Sequence, residues 1–542
     1  MEQGAALKGT LSRHWPLYAS VVILLLLVWL ILSVALHQNQ GNLVYAFDDA
    51  YIGMAMARNF AQYGVWGVTR YGFTSCSSPP LWTLLLSLTY YLGGVNQLAP
   101  FVLDLVFAIL VLALADAILR WYKAPAAVRF ATLLGIVLLI PLPVLIFSGM
   151  EPPLQTFVCM LAVFIAARWI SGESPGSARG DSVLLLILAP LLTAVRFEGM
   201  FLIIAIALIL LLLKRWSYAL AFGALGFLPW LVYGILSVSK GWFWLPNSVL
   251  LKASLPDFRS PAMLILSLLN PIYVTLHEGM HMLVLLVAVL LVYILACGKG
   301  SGACESRQIM GTILFLTGMA HLEFVGAASL YRYDAYWCAM AILFLGVQLP
   351  VIAPGRQSPF SLATWTVPKN LSCAALGLLL FFPLAVKGGR LLWFLPQCTT
   401  DVYEQQYQMG LFVRRYYQNS TVALNDIGAV NFLADIHCLD LMGLANAEVA
   451  AARRQHTYGV GDMERLSRET GTRIAIVYDN WFSSGLPPEW VRVGRWTIPN
   501  NVNLGGDTVS FYGVNPGEAA HLSESLADFS SRLPAEVGQR GP

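Results

Sequence analysis

Charge is what this sequence has least of. Only 12% of its 542 residues are Asp, Glu, Lys or Arg, about half the share of an ordinary soluble domain. The formal net charge of +3 is too small to point to nucleic acid. Cysteine supplies no metal motif. The eight cysteines form no CxxC pair and no Cys/His zinc spacing. Cys159, Cys297, Cys338 and Cys373 lie in or beside apolar runs and read as small apolar residues. Cys398 and Cys438 lie outside them and could pair as a disulfide if their region is extracytoplasmic. Small-residue cleavage signals are missing after the first apolar run, which argues for a retained span rather than a signal peptide. No solenoid-period repeat is present.

Apolar residues, at 57%, fill the space that charge leaves. Apolar runs of roughly 17 to 25 residues recur from Val21 to Ala385, and each can span a bilayer. Basic residues cluster at every second loop: Arg120 and Lys123, Arg168 and Arg179, Lys214 and Arg215, Lys299 and Arg307, Arg356 and Lys369. The positive-inside rule then predicts eleven spans, a cytoplasmic N-terminus and an outer C-terminal region. Leu81–Gly93 is too short to cross and reads as a helix on the outer surface. The pair 184–195 and 200–213 reads as a hairpin that stops partway through the membrane.

Composition shifts after Lys387. Residues 1–390 read as the membrane domain, with a loop at 37–80 as its catalytic part. Residues 391–517 read as an extracytoplasmic α/β domain, with short strands at Thr421–Leu424 and Arg473–Tyr478 and a β-rich end near Thr497–Val514. Residues 518–542, rich in Ser, Glu and Arg, read as a flexible tail.

In so uncharged a chain, adjacent acids beside a membrane span draw attention. Asp48 and Asp49 precede a helical pattern, 50–61, in which Ile52, Met56 and Phe60 form one apolar face. One acid is explained as a helix cap. Two are not, and an ionised carboxylate there can take a proton from a hydroxyl. Glu151, Arg196, Glu198 and Arg332 also fall at outer ends of spans. Outer arginines break the orientation rule and ask for anionic partners. Arg196 can pair with Glu198 or Glu151, and Arg58 can meet a lipid headgroup. As a set, Arg58, Arg196, Lys252 and Arg332 could instead converge on a phosphate. His277-Glu278-Gly-Met-His281 matches the HExxH zincin pattern, with no third ligand pattern after it.

The stretch FDDAYI…AR…YG…S-PLW resembles the first outer loop of type-C (GT-C) glycosyltransferases, multispan enzymes that use polyprenyl-phosphate sugars. It is nearest the bacterial group that includes the mycobacterial arabinofuranosyltransferases. Ser148–Glu151, Arg196–Gly199 and Pro246-Asn247-Ser248 are similar to that group's later loops, and ALNDIGAVNF…CLDLMGLAN to the outer domain often fused to it. The chain departs from the pattern at Phe197 and Asp334.

The resemblance implies a helical polytopic membrane protein in the plasma membrane. It implies inverting transfer from a polyprenyl-phosphate-linked sugar donor to a glycan, lipid or protein acceptor outside the cell. Asp48 would face the acceptor as general base, with Asp49 as its partner or a metal ligand. Arg58, Glu151, Arg196, Glu198, Asn247, Lys252, Arg332 and Tyr333 would contact substrates. Mg²⁺ or Mn²⁺ would be the ion, if one is used. Two other classes stay open: a membrane zinc protease using 277–281, and a non-catalytic transporter with a ligand-binding outer domain.

Overall fold

The computed structural model describes residues 2–173, 178–252, 260, 263, 279–297, 305–325, 329–352 and 367–541, with the backbone alone at 2–12, 252, 329, 352 and 367–380. The apolar runs become helices: α1 (Glu2–Gln38), α4 (Leu98–Trp121), α5 (Ala126–Leu139), α6 (Leu142–Ser148), α7 (Pro152–Ser171), α8 (Ala178–Val195), α9 (Gly199–Leu212) and α10 (Trp216–Ser239). Later come α12 (Met280–Cys297), α13 (Ser306–Phe324), α14 (Ala335–Ile352) and α15 (Val367–Val402). Three shorter helices, α2 (Asp48–Tyr63), α3 (Pro80–Gly93) and α11 (Asn247–Lys252), fill the loops between them.

Among the described residues, six helices are long and apolar enough to cross a membrane, and the α5–α6 pair, bent by 42° at Pro141, would make a seventh. The eleven expected spans exceed that number. At 14 residues α9 falls short, whereas α8 starts at Ala178 and is a full-length helix, not half of a shallow hairpin. The turn between α8 and α9 is tight because Gly199 lets backbones meet: a Cβ there would lie 2.1 Å from the Leu192 carbonyl oxygen. Buried acids face the basic helix ends, with Asp116 pairing to Arg129 at 2.6 Å and to Arg120 at 2.9 Å.

Short α3 buries Trp82, Leu86 and Tyr90 one turn apart and exposes Leu88, Tyr91 and Leu92 on its other side. In α2 the helix starts earlier than expected. Asp48 and Asp49 are in its first turn, and the Phe47 before them makes no side-chain cap. The capping explanation for an acid therefore does not apply. Ile52 and Met56 are buried as expected, but Phe60 at the far end is exposed.

The polar C-terminal region forms a six-stranded mixed sheet: β1 (Thr421–Leu424), β2 (His437–Asp440), β3 (Thr472–Val477), β4 (Val491–Thr497), β5 (Thr508–Gly513) and β6 (Gly538–Arg540). Their order is β2-β1-β3-β5-β4-β6, with the first three strands parallel and the rest antiparallel. Of the parallel strands, β1 and β3 have buried, near-continuous apolar patterns, as two covered faces require.

Two expectations fail here. Most of the expected tail, residues 518–541, is ordered structure: helix Pro516–Phe529 buries Leu522, Leu526 and Phe529, and β6 pairs with β4. Phe529 stacks on Trp496 at 5.7 Å, so this Ser/Glu-rich segment carries enough apolar residues on one face to dock. Cys398 and Cys438 are both free thiols: the first is buried in α15 and the second lies on β2. The helix α15 also runs past residue 390 to Val402 without a break, then continues as one π-helical turn, Tyr403–Tyr407. The helical region and the sheet domain are thus joined by a continuous helix.

Candidate active site

Helix α2 lies at the junction between the helical region and the sheet domain, and its first turn sends its two acids different ways. Asp48 turns to the sheet domain. Its Oδ1 accepts the backbone N–H of Ala429 and its Oδ2 that of Gly428, both at 2.7 Å. Those amides open the short helix Gly428–Leu433, whose first N–H groups lack helical partners. Gly428 is required because a Cβ there would lie 1.9 Å from the Asp48 carbonyl oxygen. Burial, and then the nearby Asp426, push the Asp48 carboxyl up to about 8, against the pull of the two N–H groups.

Asp49 turns the other way, into a cavity of about 340 Å³. The Asp48 carboxylate is not on the cavity wall, so the residue expected to be the base is instead part of a joint between domains. The wall carries Asp49, Glu151, Arg196, Glu198, Arg332 and Tyr333. Arg332 donates to Asp49 Oδ2 at 2.6 Å and to the Tyr333 hydroxyl at 2.5 Å. Arg196 donates through Nε and Nη2 to both oxygens of Glu198, at 3.0 and 2.7 Å, and through Nη1 to Glu151.

The Tyr333 ring lies beside both guanidinium groups, 4.7 Å from Arg196 and 4.8 Å from Arg332. Burial would lower both arginines, but their acids outweigh it: Glu198 and Glu151 raise Arg196, and Asp49 raises Arg332. Burial would likewise raise Glu198, yet Arg196 holds it below the usual range. Arg196, Arg332 and Glu198 are therefore charged at neutral pH. Aromatic and apolar walls complete the cavity, from Trp82, Phe201, Trp230 and Ile52. Such walls keep the local dielectric low and strengthen each charge within it.

The expected phosphate cluster does not form. Arg58 leaves the cavity, donating to the Phe432 carbonyl at 2.8 Å and to Asp435 at 3.0 Å in the sheet domain. Asn247 is a second joint, since its Nδ2 donates to the Gly443 carbonyl at 2.7 Å, while its neighbours Ser248 and Val249 line the cavity. Arg196 is held by two acids, as its plain reading allowed. Arg332 stands beside a cavity acid and keeps part of its side chain accessible. Lys252 ends α11, and its side chain lies outside the described residues, as do His277 and Glu278.

Sequence reasoning missed Asp104, an acid within the apolar run of α4. It is fully buried, and neither carboxylate oxygen has a hydrogen-bond partner among the described residues. The Oε2 of Glu151 is unpartnered in the same way. An acid inside a span was the available signal for Asp104.

Residues 399–512 match the family model described as Domain of unknown function (DUF8728). No curated protein matches the chain by sequence. Among solved structures, the chain is similar to ArnT from Cupriavidus metallidurans bound to undecaprenyl phosphate, with a TM-score of 0.52, at 12% identity, over 91% of this chain and 98% of that one. The same protein in its apo state gives a TM-score of 0.50, at 12% identity, over 92% of this chain and 99% of that one. The oligosaccharyltransferase AglB from Archaeoglobus fulgidus, in complex with an inhibitory peptide and a dolichol-phosphate, gives 0.49 at 11% identity, over 91% of this chain and 75% of that one. The ArnT likeness establishes the fold: a GT-C membrane fold carrying a C-terminal sheet domain.

Proposed function

We propose that the protein transfers a sugar from a polyprenyl-phosphate donor to an acceptor outside the cell, with inversion. The observation that carries this reading is the cavity wall that sets Asp49 against Arg332 and Tyr333 beside apolar surface. A polyprenyl-phosphate sugar needs each of these features. Its tail needs an apolar path. Its departing phosphate needs a cation that is already oriented. The attacking hydroxyl needs a carboxylate on the opposite face of the sugar.

Asp49 is the base in this reading. Its carboxylate accepts the acceptor's proton as the new glycosidic bond forms. Arg332 offers the guanidinium that stabilises charge growing on the phosphate as the old bond breaks. Tyr333 fixes Arg332 through its hydroxyl. Arg196, locked between Glu151 and Glu198, shapes the floor instead of binding the phosphate. Its salt bridges leave it few free donors, and that argues for a structural part.

Mg²⁺ or Mn²⁺ would be held by Asp49 and the unpartnered Oε2 of Glu151. Such an ion would sit on the acceptor's face of the sugar and would polarise the attacking hydroxyl. The resemblance of FDDAYI and the later loops favours a place near the arabinofuranosyltransferase group, and hence a pentose or hexose donor. The basic-loop pattern supports a plasma-membrane protein with its N-terminus in the cytoplasm and the sheet domain outside.

The decisive experiment supplies radiolabelled polyprenyl-phosphate sugars to vesicles that contain the protein. Label should pass to an extractable acceptor in wild-type vesicles alone. Failure across pentosyl and hexosyl donors, with well-folded protein and native acceptor membranes, would overturn the reading. A reporter fused after Pro542, at the end of the intact chain, tests orientation, and activity in the cytoplasm would reverse it.

A further inference from the structure

We propose that His281, Asp334 and Cys338 bind one Zn²⁺ ion at the ends of α12 and α14. The three residues are far apart in sequence and come from two helix beginnings, yet all are buried. Among the described residues, their donor atoms all lie within 4.8 Å of one another. His281 follows the first residue of α12, Asp334 precedes α14, and Cys338 is one turn into α14.

The hydrogen-bonding around His281 is over-subscribed. Its Nε2 lies 2.5 Å from Asp334 Oδ2 and 3.0 Å from the Lys387 ammonium. One imidazole nitrogen cannot both donate to a carboxylate and accept from an ammonium. Asp334 Oδ1 is buried and has no hydrogen-bond partner among the described residues. A metal ion in place of the ammonium would give the His281 nitrogen and the Asp334 carboxylate one shared partner.

Nitrogen, carboxylate oxygen and thiolate sulfur together suit zinc, with bonds of about 2.0 to 2.3 Å. The sulfur disfavours Mg²⁺ and Ca²⁺, which take oxygen ligands. Lys387 is the competitor. Its side chain is 23% exposed and lines a separate groove with Arg390 and Phe394, into which the ammonium can swing. The charges balance in either state. Without metal, the ammonium neutralises the Asp334 carboxylate. With metal, the Cys338 thiol loses its proton to solvent, a sulfur–zinc bond forms, and carboxylate plus thiolate neutralise Zn²⁺. The site lies next to Arg332 and Tyr333 in the chain, so the ion would brace the segment that presents them to the cavity.

The test uses the full chain, purified without a histidine tag and loaded with Zn²⁺ or Co²⁺. Elemental analysis should find about one zinc per chain, and Co²⁺ should give a thiolate charge-transfer band. Cys338→Ser should remove the band, His281→Ala should lose the zinc, and Lys387→Gln should bind more tightly than wild type. Zinc should also raise the melting temperature of wild type but not of Cys338→Ser. Absence of zinc from both wild type and Lys387→Gln would overturn the proposal. So would a cobalt–thiolate band that survives in Cys338→Ser. Should His281→Ala misfold, the wild-type and Lys387→Gln titrations still decide.

Discussion

The Asp48 carboxylate receives the Gly428 backbone N–H at 2.7 Å across 380 residues of chain. That bond joins the start of α2 to the sheet domain. Its partner on Ala429 doubles it, and Arg58 to Asp435 reinforces it from further along α2. Asn503 adds a contact from the far side of the sheet domain, donating to the Ala46 carbonyl at 2.5 Å. The segment that bears the cavity acid is therefore held by the sheet domain.

Asp48→Ala should loosen this joint. Net hydrogen bonds to a neutral group, as Asp48 is below about 8, are worth roughly 0.5 to 1.5 kcal/mol each, so about 1 to 3 kcal/mol is the expected loss for the two bonds at this half-buried site. Limited proteolysis should cut between α2 and the sheet domain sooner in the variant. Gly428→Ala should produce the same pattern through its steric clash. Unchanged cleavage in both would mean that other contacts hold the domains together.

The joint should weaken as pH rises. The docked Asp48 carboxyl is raised to about 8, above its value of 3.8 when exposed. Its contribution is thus complete below 3.8 and lost as pH climbs through 8. Amide exchange at Gly428 and Ala429 should accelerate between pH 6 and about 9. Asp48→Asn cannot ionise, and its exchange rates, corrected for intrinsic chemistry, should stay flat.

Asp49→Asn should lower sugar transfer by about 10²- to 10⁴-fold, the usual cost of a lost general base. Thermal stability should change little, because the group is partly exposed. The measurement is label transfer in membranes with protein level followed in parallel. Asp48→Asn gives the contrast: transfer should fall only as far as docking does. An Asp48→Asn protein that is docked but inactive would return the base to Asp48.

Arg196→Ala should be the most destabilising change in the cavity. It leaves Glu151 and Glu198 buried without their cation, a cost of about 3 to 5 kcal/mol. Arg332→Lys should fold normally and bind donor more weakly, since an ammonium cannot reach Asp49 and Tyr333 together. Melting temperature and donor binding measured side by side separate the two arginines.

Removal of residues 518–542 should unfold the sheet domain. It strips Leu522, Leu526 and Phe529 from the face where Trp496 and Phe511 pack. Phe529→Ala alone should cost about 3 to 5 kcal/mol. A truncated chain that melts like wild type would restore the view of this segment as a tail.

Much of the fold could be read from local patterns. Runs of apolar residues report burial in lipid or core wherever they occur, so the helices and strands β1 and β3 emerged near their observed positions. The end of the chain did not, because the apolar face of Pro516–Phe529 is diluted by Ser and Glu that face solvent. The eleven-span count relied on loop charge, which orients a span but does not lengthen α9.

The amino-acid sequence by itself determined a membrane protein with a polar C-terminal domain and named the outer-loop residues Asp49, Glu151, Arg196, Glu198, Arg332 and Tyr333. Only the tertiary structure decided which of two adjacent acids enters the cavity. Successive residues in a helix differ by about 100° in direction, so Asp48 and Asp49 look alike in sequence and reach opposite partners. The same holds for His281, Asp334 and Cys338, which carry no motif spacing. Their meeting depends on how helices pack, and packing couples residues whose separation along the chain carries no information about contact.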